Sequence, residues 1–345
     1  MEPTKHYGYY VFLGLGDFAP PPTLSPEWTS TWDLQAWKRR IDELMLLGTN
    51  TLFIYLMGHQ LPYPSTKFPE YVEKNHPNVV KEEFFQTVLD WCIERGIYLV
   101  AVFSTTGHAK AYTAAHPELA ICSREGEPQV DSGIVCHHKE GATRYAVGVI
   151  EECLIRYRGF AGVIFHPPEF GTPCFCPSCQ EKYLALYGKS LLAATDQEAK
   201  RFFMTSNLYF QRTVLESVVR RHVPGARLLT FSIPWIFETE FEQLAREIEQ
   251  DTIIVDWDYN LSDDRLSLLQ LRLQRYQRFG HKVWFMPTSG YAFSEARSTE
   301  EQAEGVLRQI ELAIEVGVKD IIYFMGPRWW PTVAQTSWYL RRNWH

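Results

Sequence analysis

Eight short runs of β-branched and aromatic residues alternate with amphipathic helical stretches along the chain, and this alternation constrains the fold more than any other feature. It is typical of repeated βα units around a parallel sheet. The predicted strands are Tyr9–Gly14, Thr51–Met57, Tyr98–Ser104, Gly162–His166, Arg227–Ile233, Thr252–Asp258, Lys282–Pro287 and Asp320–Met325. The clearest predicted helices are Leu34–Leu47, Lys81–Arg95, Ala142–Tyr157, Gln197–Arg221, Arg265–Phe279 and Thr299–Val316. Eight strands joined by helical crossovers predict a (β/α)8 TIM barrel in the α/β class.

Glycines mark the ends of several predicted helices, where a left-handed cap residue is wanted. These glycines are Gly48, Gly96, Gly280 and Gly317. No stretch rich in Pro, Gly or Ser divides the chain. We therefore expect residues 1–345 to form one barrel domain.

Charge and hydropathy restrict the partners. The net charge is −7 and no run of Lys or Arg occurs, so neither nucleic acid nor an anionic membrane surface is an expected partner. No stretch reaches the ~18 apolar residues of a membrane span, and the first residues lack the apolar segment of an export signal. These features predict a cytoplasmic protein that binds a neutral or polar ligand. They do not determine the oligomeric state, and a homo-oligomer is compatible with them.

Cys174, Cys176 and Cys179 form a C-x-C-x-x-C motif after the fourth predicted strand. Three thiols in one loop favour a soft tetrahedral ion such as zinc, which requires a fourth ligand. Cys136 is the best candidate, with Cys122 and His137 as alternatives. Four thiolates would complete the coordination shell, so the metal would be structural. The other interpretation is a set of unpaired loop cysteines.

Glu169 follows the fourth predicted strand and precedes the cysteine motif. The active site of a TIM barrel lies at the C-terminal ends of its strands, so this carboxylate is a candidate general acid. Apolar neighbours such as Phe165 and Phe170 could raise its pKa by desolvation. The alternative role is a salt bridge or a helix cap.

Glycoside cleavage requires a second carboxylate. Asp256 and Asp258 fit by position, because the two-residue period of a strand puts both on one face of the sixth strand and Trp257 on the other. Asp258 lies nearer the loop, and the choice between the two stays open.

Further polar and aromatic residues come directly after predicted strands and are candidates for substrate binding. They are His59, His108, His166, Trp235, Tyr291, Arg328, Trp329 and Trp330. The indoles could stack on sugar rings, and Arg328 would suit an anionic sugar. The three histidines could instead bind a catalytic metal, although none pairs with another at the helical spacing of H-E-x-x-H.

Two stretches resemble known families of TIM-barrel glycoside hydrolases. The segment from Trp37 to Leu52, together with Gly107-His-Ala and His116-Pro-Glu-Leu119, resembles family 20 hexosaminidases and α-glucuronidase-like barrels. The run Glu169–Cys179 is similar to family 42 β-galactosidases and to uncharacterised glycosyl-hydrolase-like families with a zinc loop. This resemblance implies that Glu169 is the acid/base. It also implies a structural zinc ion bound by Cys136, Cys174, Cys176 and Cys179.

The chain departs from both families at informative positions. Family 20 enzymes carry an Asp before the acid, whereas Pro168 stands here. Family 42 enzymes carry a nucleophilic Glu after the seventh strand, whereas this chain has Met286-Pro-Thr-Ser289. The sequence therefore predicts a hydrolase of a small oligosaccharide or terminal sugar with Asp258 or Asp256 as base or nucleophile. The alternatives are a catalytically silent carbohydrate-binding barrel and, less favoured, a histidine-metal hydrolase.

Overall fold

Eight parallel strands close into a barrel in the order in which they occur in the chain, with β8 pairing to β1. The computed structural model describes residues 5–12, 33–57, 61, 63–70, 83–104, 106–168, 172–232, 248, 251–258, 263–287 and 299–324. The strands are β1 (Tyr7–Phe12), β2 (Thr51–Met57), β3 (Tyr98–Phe103), β4 (Phe160–Phe165), β5 (Arg227–Phe231), β6 (Ile253–Asp258), β7 (Val283–Pro287) and β8 (Asp320–Phe324). All eight predicted strands are confirmed, and the bounds differ from the predicted ones by at most two residues.

The described helices lie between these strands. They are α1 (Leu34–Leu46), α2 (Phe84–Glu94), α3 (Lys110–Ala115), α4 (Glu140–Arg156), α5 (Pro177–Tyr187), α6 (Asp196–Phe210), α7 (Glu216–His222), α8 (Asp263–Arg278) and α9 (Thr299–Glu315). The predicted helix 197–221 is confirmed but not continuous, because a π-helical turn at Gln211–Leu215 separates α6 from α7. Sequence periodicity did not predict α3 or α5.

Local chemistry explains where several helices begin and end. The Asp33 side chain accepts a hydrogen bond from the Ala36 amide at 2.7 Å, which caps the start of α1. Thr195 and Glu198 form a reciprocal capping box at the start of α6. The four glycines predicted to end helices all adopt positive φ: Gly48, Gly96, Gly280 and Gly317. A side chain would be strained in that conformation.

Alternate residues of each strand face two different environments. One set packs in the barrel interior, represented on β6 by Val255 with Trp257 packed against that interior cluster. The other set packs under the helices, represented on β6 by Ile254. Most positions in both layers are apolar. We call the C-terminal end of the barrel interior the barrel mouth. A strand side chain can reach it only if it points into the barrel and not towards the helices.

Two long connections after β3 and β4 cover one side of the barrel mouth. The first runs through α3 and is held by isolated antiparallel bridges that pair Ala120 with Val135 and Cys122 with Pro128. The second leads into α5. Within the described ranges, no helix has the length and apolar character required to cross a bilayer.

Candidate functional site

Four cysteines from the two long connections meet in one buried cluster. The Sγ atoms of Cys136, Cys174, Cys176 and Cys179 all lie within 4.8 Å of one another. Cys136 Sγ is 3.8 Å from Cys176 Sγ and 3.6 Å from Cys179 Sγ. A tetrahedral ion with metal–sulfur bonds of ~2.3 Å requires sulfur–sulfur separations of about 3.8 Å. These four residues, called the cysteine cluster below, could therefore hold a metal ion.

The alternative fourth ligands have other roles. Cys122 lies beside the cluster, where its backbone N–H donates to Cys174 Sγ at 3.3 Å. Its own thiol contacts Lys139 Nζ at 3.7 Å. His137 turns away, and its Nε2 lies 2.9 Å from Ser206 Oγ. Cys136, the candidate that the sequence favoured, is therefore the fourth member of the cluster.

The arrangement of the cluster suits a structural ion. Hydrogen bonding with Cys136, Cys174 and Cys179 lowers the pKa of Cys176, whereas hydrogen bonding with Cys136, Cys174 and Cys176 raises the pKa of Cys179. All four residues are buried. Four thiolate ligands leave no coordination position for a water molecule, so an ion here would join the loop after β3 to the loop after β4.

A second constellation occupies the barrel mouth. Tyr55 at the end of β2 lies 6.3 Å from His108 and 6.0 Å from His166, measured between ring centroids. The two imidazoles are 5.6 Å apart, and His166 contacts Phe231 at 5.3 Å. We call Tyr55, His108, His166 and Phe231 the mouth cluster. The structure thus brings together two of the histidines predicted from sequence.

Backbone contacts fix His166 in place, and His108 has an unusual backbone conformation. The His166 amide donates to Phe103 O at 2.8 Å, and His166 Nδ1 donates to the Pro167 carbonyl at 2.9 Å. His108 is the one non-glycine residue with positive φ, 54°, in the part of the chain that the structure describes. Such strain persists where surrounding contacts impose it, and it often accompanies function.

Gly107 allows the two mouth loops to approach each other. A Cβ atom at this position would lie 3.1 Å from Pro168 Cα and 3.3 Å from Ser104 Oγ. Ser104 also donates a hydrogen bond to the Gly107 carbonyl at 3.0 Å. The loop that carries His108 is therefore packed directly against the segment that leads to Glu169.

The structure corrects the prediction for Asp256. Its carboxylate accepts two hydrogen bonds from Arg272 of α8, with Nε to Oδ2 and Nη2 to Oδ1 both at 2.9 Å. Asp256 is 0% exposed and Arg272 is 2% exposed. Alternation on β6 is as predicted, but it directs Asp256 towards the helices and Trp257 towards the barrel interior. Asp256 therefore forms a structural ion pair, and its carboxylate is not available to a ligand in the barrel mouth.

Several predicted site residues lie outside the described residues. They are Glu169, His59, Trp235, Tyr291, Arg328, Trp329 and Trp330. Asp258 is the last residue of β6, and its side chain is also outside the described part. Their roles stay predictions. Among the described residues, the cysteine cluster is the one group with the geometry of a metal site, so His108 and His166 gain no third metal ligand there.

Sequence reasoning missed Tyr55 and Phe231. Both belong to the apolar set that fills the barrel interior, and neither falls in a polar motif. Their alternating positions near the ends of β2 and β5 could have indicated them. That inference requires knowing which face of each strand points into the barrel.

The geometry defines a TIM barrel with an aromatic and imidazole cluster in its mouth and a separate four-cysteine cluster. No protein-family profile matches the chain, and no curated protein matches it. Solved structures do share the fold. The chitobiase of Flavobacterium johnsoniae is 15% identical with a TM-score of 0.58, and the match covers 96% of this chain and 48% of that one.

Two further structures have similar statistics. A β-N-acetylhexosaminidase of Bacteroides fragilis is 13% identical with a TM-score of 0.61, covering 97% of this chain and 65% of that one. A β-galactosidase of the haloarchaeon Halorubrum lacusprofundi is 11% identical with a TM-score of 0.65, covering 96% and 57%. The chain thus spans between about half and two thirds of these proteins. At such identities the likeness shows the fold.

Proposed function

We propose that this protein is a glycoside hydrolase that acts on a small oligosaccharide or a terminal sugar. The observation that carries the proposal is the mouth cluster, in which residues from the ends of β2, β3, β4 and β5 converge beside the segment leading to Glu169. Chemistry in a TIM barrel is performed at this end of the strands. The fold shared with hexosaminidases and β-galactosidases supports the same proposal.

In this proposal each group has a defined role. Glu169 donates a proton to the oxygen of the leaving group. His166 lies beside Tyr55 and His108 in the barrel mouth and would contact the sugar there. The ring of Tyr55 supplies an apolar surface beside both histidines. His59, Tyr291, Arg328 and the tryptophans Trp235, Trp329 and Trp330 would complete substrate binding.

Asp258 is the proposed second carboxylate now that Asp256 is engaged by Arg272. Because the two-residue period predicts the same face of β6 for both residues, this role requires the Asp258 side chain, at the last position of the strand, to turn towards the mouth. A carboxylate about 5 Å from Glu169 would act as a nucleophile with retention, and one at ~6.5 to 9.5 Å would activate water with inversion. Following the anomeric configuration of the first product by NMR distinguishes the two. Activity that survives Asp258→Asn would remove Asp258 from the mechanism.

The central test is Glu169→Gln, assayed with a panel of aryl glycosides and disaccharides. Loss of the acid should lower kcat by at least about a hundredfold, the usual contribution of general acid catalysis. The matched control is Glu181→Gln on the exposed face of α5, which should retain full turnover. Equal activity in the two variants would refute the role of Glu169.

We also propose that the cysteine cluster binds one structural zinc ion. Its support is the agreement between the sulfur separations and tetrahedral thiolate geometry. Cys176→Ser should release the ion and lower the melting temperature, as measured by elemental analysis and thermal unfolding. The control Cys92→Ser alters another buried cysteine and should keep the ion. Purified wild-type protein without metal, and insensitive to chelators, would contradict the proposal.

A silent carbohydrate-binding barrel is the second candidate, and the Asp256–Arg272 ion pair favours it, because the pair leaves one fewer carboxylate for catalysis. Saccharide binding without turnover across the whole panel would support this candidate. A histidine-metal hydrolase through His59, His108 and His166 predicts a second ion per chain that is lost with His166→Ala.

A further inference from the structure

A cavity of about 650 Å³ lies among the helices on the outside of the barrel. It is bordered by the start of α4, the end of α5 and the π-helical turn after α6. No member of the mouth cluster lines it. We call it the outer pocket. Its volume is within the range of small-molecule sites, and π-helical turns are frequent at functional sites.

Aromatic rings form one wall of the outer pocket. The His138 ring stacks on Phe202, with centroids 5.6 Å apart and planes at 22°. Tyr187 meets Phe202 at 6.4 Å and 84°. Tyr187 is 49% exposed and Tyr209 is 36% exposed, so the rim presents partly uncovered rings. Such surfaces suit a ligand with an apolar face.

A chain of hydrogen bonds fixes the orientation and tautomer of His138. The Ser206 hydroxyl donates to the Phe203 carbonyl at 3.0 Å. Its proton is therefore committed, so the imidazoles of His137 and His138, at 2.9 and 3.1 Å, must both donate Nε2–H to Ser206 Oγ. His137 Nδ1 faces the side-chain amide of Asn207 at 3.4 Å, which agrees with this assignment.

Because Nε2 is engaged by Ser206 Oγ, Nδ1 is the other polar atom of the His138 ring that a ligand could contact. No other hydrogen bond of His138 occurs among the described residues. A hydroxyl group suits this position, because it can both donate and accept a hydrogen bond.

The charges around the outer pocket also favour a neutral ligand. Lys139 lines the pocket, but its ammonium group donates to the carbonyls of Glu118 and Ala120, each at 2.7 Å. Lys139 and Lys182 against Glu140 give the lining a net charge of +1. Because Lys139 is engaged by carbonyl groups and Glu140 offsets Lys182, the pocket lacks the several available cations of an anion site.

We propose that the outer pocket is a second saccharide-binding site, distinct from the barrel mouth. A neutral sugar ring would lie against Tyr187 and place a hydroxyl group within hydrogen-bond reach of His138 Nδ1. A ring that combines hydroxyl groups with an apolar face of C–H groups suits both this polar atom and the aromatic wall. This assignment goes beyond the proposed hydrolase and does not depend on catalysis.

The wall of this site is also connected to the barrel mouth. The Asn207 side-chain amide donates to Thr106 Oγ1 at 2.9 Å, and Thr106 follows β3. Gln211 of the π-helical turn donates to Asn207 Oδ1 at 2.9 Å. Every atom of the Asn207 amide group thus has a partner, so the polar wall is preorganised before a ligand arrives.

Methyl NMR can test the two sites separately in the metal-loaded full chain. Leu186 and Val214 line the outer pocket, and Val102 reports on the mouth because it pairs in register with Tyr55. The probes are maltotriose, cellotriose and triacetylchitotriose, titrated into the Glu169→Gln protein so that they stay intact. We expect saturable shifts of the Leu186 and Val214 methyl groups with at least one probe.

Variants then identify the contacts. Tyr187→Ala removes the ring, and His138→Phe keeps an aromatic ring against Phe202 but removes the polar ring nitrogens. Each should raise the dissociation constant at the outer pocket about tenfold or more, equivalent to ~1.4 kcal/mol. Leu184→Ala is the control, because Leu184 is 55% exposed on the same helix but does not line the pocket.

Three results would overturn the proposal. The first is that all three probes leave Leu186 and Val214 unshifted. The second is that benzoate or inorganic phosphate shifts these methyl groups and the sugars do not. The third is that their shifts depend on protein concentration alone, which would indicate a second copy of the chain on this surface. A response at Val102 only would refute the outer site and leave the proposed hydrolase intact.

Discussion

Removing one partner of the Asp256–Arg272 pair should destabilise the protein severely. Both side chains are almost completely buried and share two hydrogen bonds of 2.9 Å. In Asp256→Leu the guanidinium loses both charge-assisted bonds, each contributing roughly 1.5 to 3 kcal/mol. The buried cation also loses the counter-charge of Asp256. A cost of about 3 to 5 kcal/mol is expected, which is a large part of the total stability of a typical domain.

A double-mutant cycle measures the interaction free energy between Asp256 and Arg272. Asp256→Leu, Arg272→Met and the double variant are compared by urea unfolding, followed through tryptophan fluorescence. The double variant buries two apolar side chains in place of the ion pair and should recover to within about 1 kcal/mol of wild type, or exceed it. If a single variant fails to fold, recovery in the double variant gives a lower bound on the coupling energy.

The same cycle separates a structural from a catalytic role for Asp256. A structural pair predicts that the double variant retains whatever turnover the wild type has. The reasoning would be refuted if Asp256→Leu were as stable as wild type. It would equally be refuted if the stable double variant had lost turnover, since Asp256 would then act on substrate.

Two glycine substitutions test the close approaches in the barrel. Gly8→Ala should prevent folding, because the new Cβ would lie 1.7 Å from the Thr51 carbonyl oxygen in the paired strand. Gly225→Ala is its control, having nothing within 4 Å, and its far-ultraviolet circular dichroism and melting temperature should match wild type. Gly107→Ala places a Cβ 3.1 Å from Pro168 Cα, and we expect a loss of stability of about 1 kcal/mol together with a larger fractional fall in kcat/KM. A kcat/KM that falls only as far as the folded fraction does would show that this approach does not position the mouth loops.

Sequence periodicity was sufficient for the strands of the barrel. A run such as Tyr98–Phe103 is buried on both faces, which gives it a continuous apolar pattern that any parallel barrel strand requires. It was not sufficient for α5, which begins at Pro177 inside the cysteine motif. The spacing of those cysteines is typical of a metal loop, and it conceals the helix that follows.

The cysteine cluster combines three candidate ligands from a local motif with one from a distant part of the chain. The spacing of Cys174, Cys176 and Cys179 alone indicated three ligands, because residues so close in the chain can surround one ion in almost any fold. Cys136 lies 38 residues before the first of them. The sequence already favoured Cys136 over Cys122 and His137, and the packing of the loops after β3 and β4 is what brings it to the other three cysteines.

Asp256 shows most clearly which conclusions follow from the sequence and which require the tertiary structure. The sequence by itself determined that Asp256 alternates with Trp257 on a barrel strand, since the period of a β-strand is a property of the local backbone. Only the tertiary structure decided which of these two faces enters the barrel, because barrel closure and the packing of α8 set the direction of the strand. The two-residue period is the same for either orientation, and the buried guanidinium of Arg272 resolves it by holding Asp256 on the side of the helices.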